Sequence, residues 1–149
     1  MPAHLEAESD CYFVTSNTES RVRLFVDPQL AEIVIQALYH LRSDGRIRLH
    51  AFVLMPDHLH FVASLREEKS LSRLMHSLKS YTAKGINNRL YKKGKVWQRG
   101  FYSHGIRNER DALEKINYIL ENPVRAGLSD ASKDYRFSSA YETFEVDPC

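Results

Sequence analysis

RIRLHAFVLMPDHLHFVASL, residues 46–65, is the stretch on which the fold turns. Its first half, RIRLHAFVLM, is rich in β-branched, aromatic and other apolar residues and predicts a buried strand. Pro56-Asp57 turns the chain. HLHFVASL predicts the return strand, so the two halves make a hairpin. Strand side chains alternate faces. Leu59, Phe61, Ala63 and Leu65 therefore share one face, which belongs against helices. His58, His60 and Val62 share the other, so two imidazoles project together on the far side.

Working outward, YFVTSNT (residues 12–18) predicts an earlier strand, followed by the apolar RVRLFV. In DPQLAEIVIQALYHLRSDG, Asp27 can cap a helix and Pro28 suits its first position. Leu30, Ile33, Val34, Ala37, Leu38 and Leu41 repeat at helical spacing, and Gly45 can end the element. Beyond the hairpin, Ser70 opens a second helix, with Leu71, Leu74, Met75 and Leu78 on one side. It is expected to run toward Leu90, weakened by Gly85. VWQRGFYSHGIR (residues 96–107) predicts strand or extended loop. A third helix is expected over residues 109–121, closed at Asn122-Pro123 because the residue before proline avoids the helical region. The tail from Gly127 is expected to be irregular, with Tyr135, Phe137 and Tyr141 packing back. The order β-α-β-β-α-β-α predicts an α+β ferredoxin-like (RRM-like) antiparallel sheet. Helices would cover one face and leave the other free for a site. A single domain over residues 1–149, with a core of about 12–141, is expected.

The bulk numbers narrow the class. At 43% hydrophobic and 27% charged, the 149 residues suit a soluble globular domain. No apolar run approaches the ~20 residues that span a bilayer, so no membrane partner is expected. MPAHLEAESD has no apolar core of a secretory signal. Cys11 and Cys149 lie near opposite ends and outside any CxxC pair, which fits reduced thiols in a cytoplasmic protein. The net charge of +2 conceals an asymmetry. Residues 69–107 contain ten Lys and Arg and no Asp or Glu, which leaves net −8 for the remainder. Such a block favours a polyanionic partner, nucleic acid above all.

Two neutral imidazoles on one strand face can chelate a divalent ion, although an HxH pair alone more often describes two polar residues facing water. Two ligands are an incomplete site, and a third must come from elsewhere. A structural zinc would call for cysteines beside them, and the local sequence has none. A partly open site that admits a phosphate oxygen fits better.

The expected third helix carries a second signal. Ala112, Leu113, Ile116, Ile119 and Leu120 form an apolar stripe, and Tyr118 falls about 160° from its centre. Asp111, Lys115 and Asn122 share its side, Asn122 one turn beyond it. A phenol oxygen is a capable nucleophile toward phosphorus when a cation stabilises its anion. Two histidines and one tyrosine are thus a minimal set for cutting one DNA strand, leaving a 5′-phosphotyrosine and a free 3′-OH.

His58-Leu59-His60 resembles the HUH motif, histidine-hydrophobic-histidine, and AFVLMPDHLHFV resembles its setting in the single-tyrosine HUH transposases of bacterial insertion sequences. VWQRGFYSHGIRNERD and INYILENPVRAG resemble the branch of REP-associated tyrosine transposases. The resemblance runs over about residues 12–141. It implies a ferredoxin-like fold, a divalent metal (Mg2+ or Mn2+) and a single-stranded DNA substrate folded into a hairpin. By position, His58 and His60 match the metal-binding histidines, Tyr118 the nucleophile, and Asn122 the polar residue that completes the metal site. Some relatives form a homodimer in which one protomer's tyrosine serves the other's histidines; others act alone. Relatives often carry Asn where Asp57 stands, which adds a negative charge of open consequence. The basic span would then neutralise phosphates through Lys79, Lys84, Lys92, Lys93, Lys95, Arg99 and Arg107. Trp97, Phe101 and Tyr102 would stack on unpaired bases, or pack in the core. Two other readings remain at this stage: a rolling-circle initiator or relaxase-like nickase, and a nucleic-acid-binding module without catalysis.

Overall fold

The computed structural model describes residues 10–149; the N-terminal stretch read above as lacking a signal sequence lies, up to residue 9, outside the described residues. The chain runs β1 (Cys11–Asn17), α1 (Pro28–Ser43), β2 (Ile47–Met55), β3 (His58–Leu65), α2 (Leu71–Leu90), β4 (Tyr102–Gly105) and α3 (Glu109–Arg125). The sheet order is β2-β3-β1-β4, and every neighbouring pair is antiparallel. This is the ferredoxin-like layout that the element order predicts. The segment 21–26 forms short 3-10 turns rather than strand.

Local chemistry sets the helix ends. The Asp27 carboxylate accepts from the Gln29 amide at 2.9 Å with Pro28 at the first position. The Ser70 hydroxyl accepts from the Arg73 amide at 3.2 Å. Gly85 does not break α2. A methyl group there would stand 3.2 Å from Cγ2 of Ile33, so the glycine lets α1 and α2 approach closely.

Alternation along β3 divides the core as predicted. Leu59, Phe61, Ala63 and Leu65 are buried with α1 and α2 residues such as Leu38 and Leu74. On the opposite face, Phe13, Ala51, Val53, Met55 and Val62 pack with Ala112 and Ile119 of α3. That face is therefore not free: α3 covers β2 and part of β3, and only the β1–β4 side stays open beside it.

Two expectations for α3 need correcting. The helix does not stop before Pro123; it carries the proline inside its last turn and ends at Arg125. Proline has no amide for the Ile119 carbonyl and its ring crowds that carbonyl, and the helix runs only two residues past it. The leaving turn is closed beyond it by the Leu128 amide to the Pro123 carbonyl at 2.8 Å, with Gly127 at φ +76°. The helix is also rolled relative to its apolar stripe. Leu113 is 57% exposed, whereas Ala112, Ile119 and Pro123 are buried.

The tail is irregular but closely held. Tyr135 donates its hydroxyl to the Leu54 carbonyl at 2.7 Å, and the Leu54 amide donates to the Phe137 carbonyl at 2.8 Å. Phe144 packs on Phe52 and Tyr39. Among the described residues no helix is long and apolar enough to cross a membrane.

Candidate active site

Register decides which side chains meet. Thr15 of β1 stands opposite His60, and Asn17 opposite His58. On the other side of β1, Thr15 pairs with Tyr102 and Phe13 with His104 of β4. One sheet face thus carries His58, His60, Thr15, Phe13, Tyr102 and His104 together.

The histidine rings lie 4.7 Å apart, centroid to centroid. Each has its Nδ1 engaged. His58 Nδ1 meets the Asp57 carboxylate at 2.7 Å, and His60 Nδ1 meets the Thr15 hydroxyl at 2.8 Å. A carboxylate only accepts, so His58 Nδ1 carries the proton and its Nε2 is the basic nitrogen. Neither Nε2 is hydrogen-bonded to any described residue. His60 is 5% exposed and stacks on Phe13 with centroids 5.4 Å apart. Burial above all, helped by His58 and Arg21, pulls its pKa down to about 3, so the ring is neutral at physiological pH.

Asp57 is answered by Arg21, whose Nε donates to it at 3.1 Å. Burial would raise this carboxyl, but the bonds from His58 and Arg21 outweigh it and hold the pKa lower than usual. The carboxylate thus orients one imidazole and is itself paired with a guanidinium. Both residues sit where the turn is pinned by the Thr18 amide on the Asp57 carbonyl (2.9 Å) and the Phe25 amide on the Pro56 carbonyl (3.0 Å). Arg21 and Ser20 both adopt positive φ, 55° and 56°.

Tyr118 comes to this place because α3 is rolled. Its ring lies 5.5 Å from that of His60 and 6.0 Å from that of Phe13, both edge-on. It is 44% exposed, and the Arg125 guanidinium lies 5.0 Å over its ring. Asn122 is half-buried one turn further along the same helix. Two imidazoles on one face, one with its tautomer fixed by Asp57 and both with Nε2 free of bonds to described residues, suit a borderline divalent ion with open positions.

Upstream on α3, the Asp111 carboxylate accepts from His104 Nε2 (2.9 Å), the Arg107 amide (2.9 Å) and Lys115 Nζ (3.2 Å). Burial would raise its pKa, but these donors outweigh it and hold the carboxyl well below the usual range.

The proposed DNA-contacting residues divide. Lys84, Lys93, Lys95, Arg99 and Arg107 are exposed. Trp97 is not available for stacking. It is 5% exposed, packs on Phe25 at 5.6 Å, and donates its indole N–H to the Thr82 hydroxyl at 2.9 Å. Lys79 is likewise spent: Nζ donates to the Gln98 and Gly100 carbonyls at 2.7 and 2.6 Å, holding the loop before β4. Burial lowers its pKa. Tyr102, 58% exposed and edge-on to Phe13 at 6.3 Å, is the aromatic of this segment that faces outward beside the site. Thr15, Phe13, Arg21 and Arg125 escaped the sequence reading. Nothing local marks them, since each acquires its role from strand register or a distant loop.

A histidine pair on one strand, faced by a tyrosine from the last helix, is the layout of the single-tyrosine HUH class. Comparison with known proteins agrees. Residues 9–122 match the family model "Transposase IS200 like". A REP-associated tyrosine transposase of Escherichia coli (strain K12) is 29% identical over 131 residues, covering 86% of this chain and 74% of that protein. The fold matches a solved structure of a REP-associated tyrosine transposase bound to a REP hairpin. There the TM-score is 0.71 and the identity 24%, covering 95% of this chain and 86% of that one. The chain belongs to the IS200-like transposase family, whose members are DNA strand cleavage and transfer enzymes, and its relatives place it with the REP-associated tyrosine type.

Proposed function

We propose that this cytoplasmic transposase nicks and rejoins single-stranded DNA beside a hairpin, with Tyr118 as nucleophile. The observation that carries the reading is the contact of the Tyr118 and His60 rings at 5.5 Å, beside two imidazoles whose Nε2 atoms point away from their hydrogen bonds. In the cleavage step the Tyr118 phenol oxygen attacks phosphorus and loses its proton. A P–O bond to tyrosine forms, the P–O3′ bond breaks, and the leaving 3′-oxygen takes up a proton. The bond energy is retained in the 5′-phosphotyrosine, so a different 3′-OH can reverse the step and join the strand elsewhere. His58, His60 and Asn122 would hold Mg2+ or Mn2+, which when bound withdraws charge from the phosphate and orients it. Arg125 beside the phenol adds positive charge where the tyrosinate develops. Lys84, Lys93, Lys95, Arg99 and Arg107 neutralise backbone phosphates, and Tyr102 stacks an unpaired base near the cut.

The test is a covalent-adduct assay with hairpin oligonucleotides from the flanks of the gene, in Mg2+ or Mn2+. The wild-type chain should carry the fragment on the 3′ side of the cut, joined through its 5′-phosphate, into a protein–DNA adduct, and release the 5′-side fragment with a free 3′-OH. Tyr118→Phe should abolish the adduct while hairpin affinity stays within about twofold, because the variant removes one hydroxyl and keeps the ring and its packing. Adduct formed by Tyr118→Phe would assign the nucleophile elsewhere. Hairpin binding without any wild-type adduct would reduce the chain to a binding module.

A further inference from the structure

The two cysteines, remote in sequence, meet in the fold. Cys11 opens β1 opposite Ser64 of β3, at the far end of the face that carries His58 and His60. His50 lies at the bulge in β2 between Leu49 and Ala51, where the extra residue breaks the alternation. Cys149 is brought over them by Asp147, which is fastened on every side. Its carboxylate accepts from Arg42 Nε (3.0 Å), Arg42 Nη2 (3.1 Å) and the Leu49 amide (2.8 Å), and its own amide donates to the Leu49 carbonyl (2.7 Å). The Sγ atoms of Cys11 and Cys149 and a ring nitrogen of His50 all lie within 4.8 Å of one another.

The histidine is set up as a ligand. His50 Nδ1 meets the Asp147 carbonyl at 2.9 Å. A carbonyl only accepts, so Nδ1 holds the proton and Nε2 carries the lone pair. That lone pair accepts from the Ser64 hydroxyl at 2.7 Å, a bond that an ion on Nε2 would replace, and Ser64 also bonds to Cys11. An imidazole held by a backbone carbonyl through its other nitrogen is the arrangement that supports metal-ligating histidines. Burial grades outward from His50, 6% exposed, through half-buried Cys11 to exposed Cys149, leaving one side open to solvent.

We propose that Cys11, His50 and Cys149 form a site for a thiophilic divalent cation of the Zn2+ class, with water in the fourth position. Two thiolates and one imidazole suit such an ion and not the hard ions expected at His58 and His60. The sites are separate: Cys11 and Ser64 lie four positions along their strands from Thr15 and His60, roughly 13 Å. An ion here ties β1, β2 and the tail together at one point.

Co2+ titration of the full, untagged chain, kept reduced with a phosphine, tests this. The wild-type chain should develop thiolate-to-cobalt charge-transfer absorption and intense tetrahedral d–d bands, saturating at one equivalent and bleached by Zn2+. The His58→Ala/His60→Ala double variant should retain the spectrum. Cys149→Ser, at an exposed position that leaves packing alone, should lose it, and His50→Gln should lose the tetrahedral intensity. Absence of charge-transfer absorption in the wild type would overturn the proposal. So would a spectrum that survives Cys149→Ser or disappears with His58 and His60. None of these outcomes bears on whether Tyr118 forms an adduct, so the two proposals fail independently.

Discussion

His60 owes its orientation to one hydroxyl. Thr15 reaches its Nδ1 at 2.8 Å and Phe13 stacks on its ring, so the imidazole is held from both sides with Nε2 outward. Partners of this kind around a ligating histidine are worth about 10–100-fold in metal affinity. Thr15→Val keeps the shape and removes the bond. We expect it to weaken Mn2+ binding, read by calorimetry or electron paramagnetic resonance, by about tenfold or more. Thr15→Ser should restore it, and hairpin affinity should not move. Equal Mn2+ affinity in Thr15→Val and wild type would show that Thr15 does not position His60. Asp57 illustrates what a sequence leaves open at this scale. A carboxylate beside two histidines could bind an ion or repel a phosphate; in the fold one of its oxygens meets Arg21 and the other orients His58. Arg21 reaches it from 36 residues upstream, through a turn of positive φ that no motif announces.

At the scale of elements, α3 needs a fixed roll and height, because Tyr118 rides on it. Asp111 supplies a fastening. It sits in the first helical turn, where the helix dipole favours a carboxylate, and grips His104 of β4. Its folded pKa lies below its ordinary value of 3.8. The unfolded chain therefore takes up a proton at a higher pH than the folded one does. The resulting stabilisation is complete above about pH 5 and is lost progressively as pH falls through the unfolded and then the folded pKa. Asp111→Asn should cost about 2 kcal/mol near neutrality, from several hydrogen bonds weakened at a mostly buried site. The gap from wild type should narrow steadily in urea titrations as pH falls from about 5 to about 3. A deficit that stays constant with pH would show that packing, not the carboxylate charge, is what Asp111 contributes. The existence of α3 is legible from its periodicity, and so are its N-terminal region and the polar company of Tyr118. Its roll is not: the apolar stripe admits Leu113, which the sheet leaves exposed, because β2 and β3 determine which residues they cover. The run past Pro123 was hidden for a related reason. A rule about the residue before proline is local, whereas the capping turn at Gly127 lies beyond it. That continuation keeps Asn122 helical and on the side of Tyr118.

Across the whole molecule, strand alternation and element order made the architecture legible, since both follow from burying one side of each element. The contacts of the tail were legible only as aromatic residues packing back. In the fold the tail shields the free edge of β2, through the bridge between Val53 and Ser138 and the Ser139 amide on the Phe52 carbonyl, and it delivers Cys149 to Cys11. A larger question concerns which chain supplies which part. In an arrangement that exchanges helices, a protomer's tyrosine would lie far from its own histidines. Here the ring of Tyr118 touches that of His60 in the same chain, supported by Phe13 beneath both and by the Ala112 and Ile119 contacts of α3 with its own sheet. One chain therefore holds both halves of the site in contact. Mixing Tyr118→Phe with the His58→Ala/His60→Ala variant tests the consequence. If each chain uses its own tyrosine, every chain in the mixture lacks one half, and no adduct should form at any ratio. If helices are exchanged between copies, a mixed dimer contains one site with both an intact tyrosine and intact histidines. Adduct would then reappear on the chain that retains Tyr118. Circular dichroism of each variant beforehand separates loss of the site from loss of the fold, and adduct recovered from two folded, individually inactive variants would establish sharing between chains.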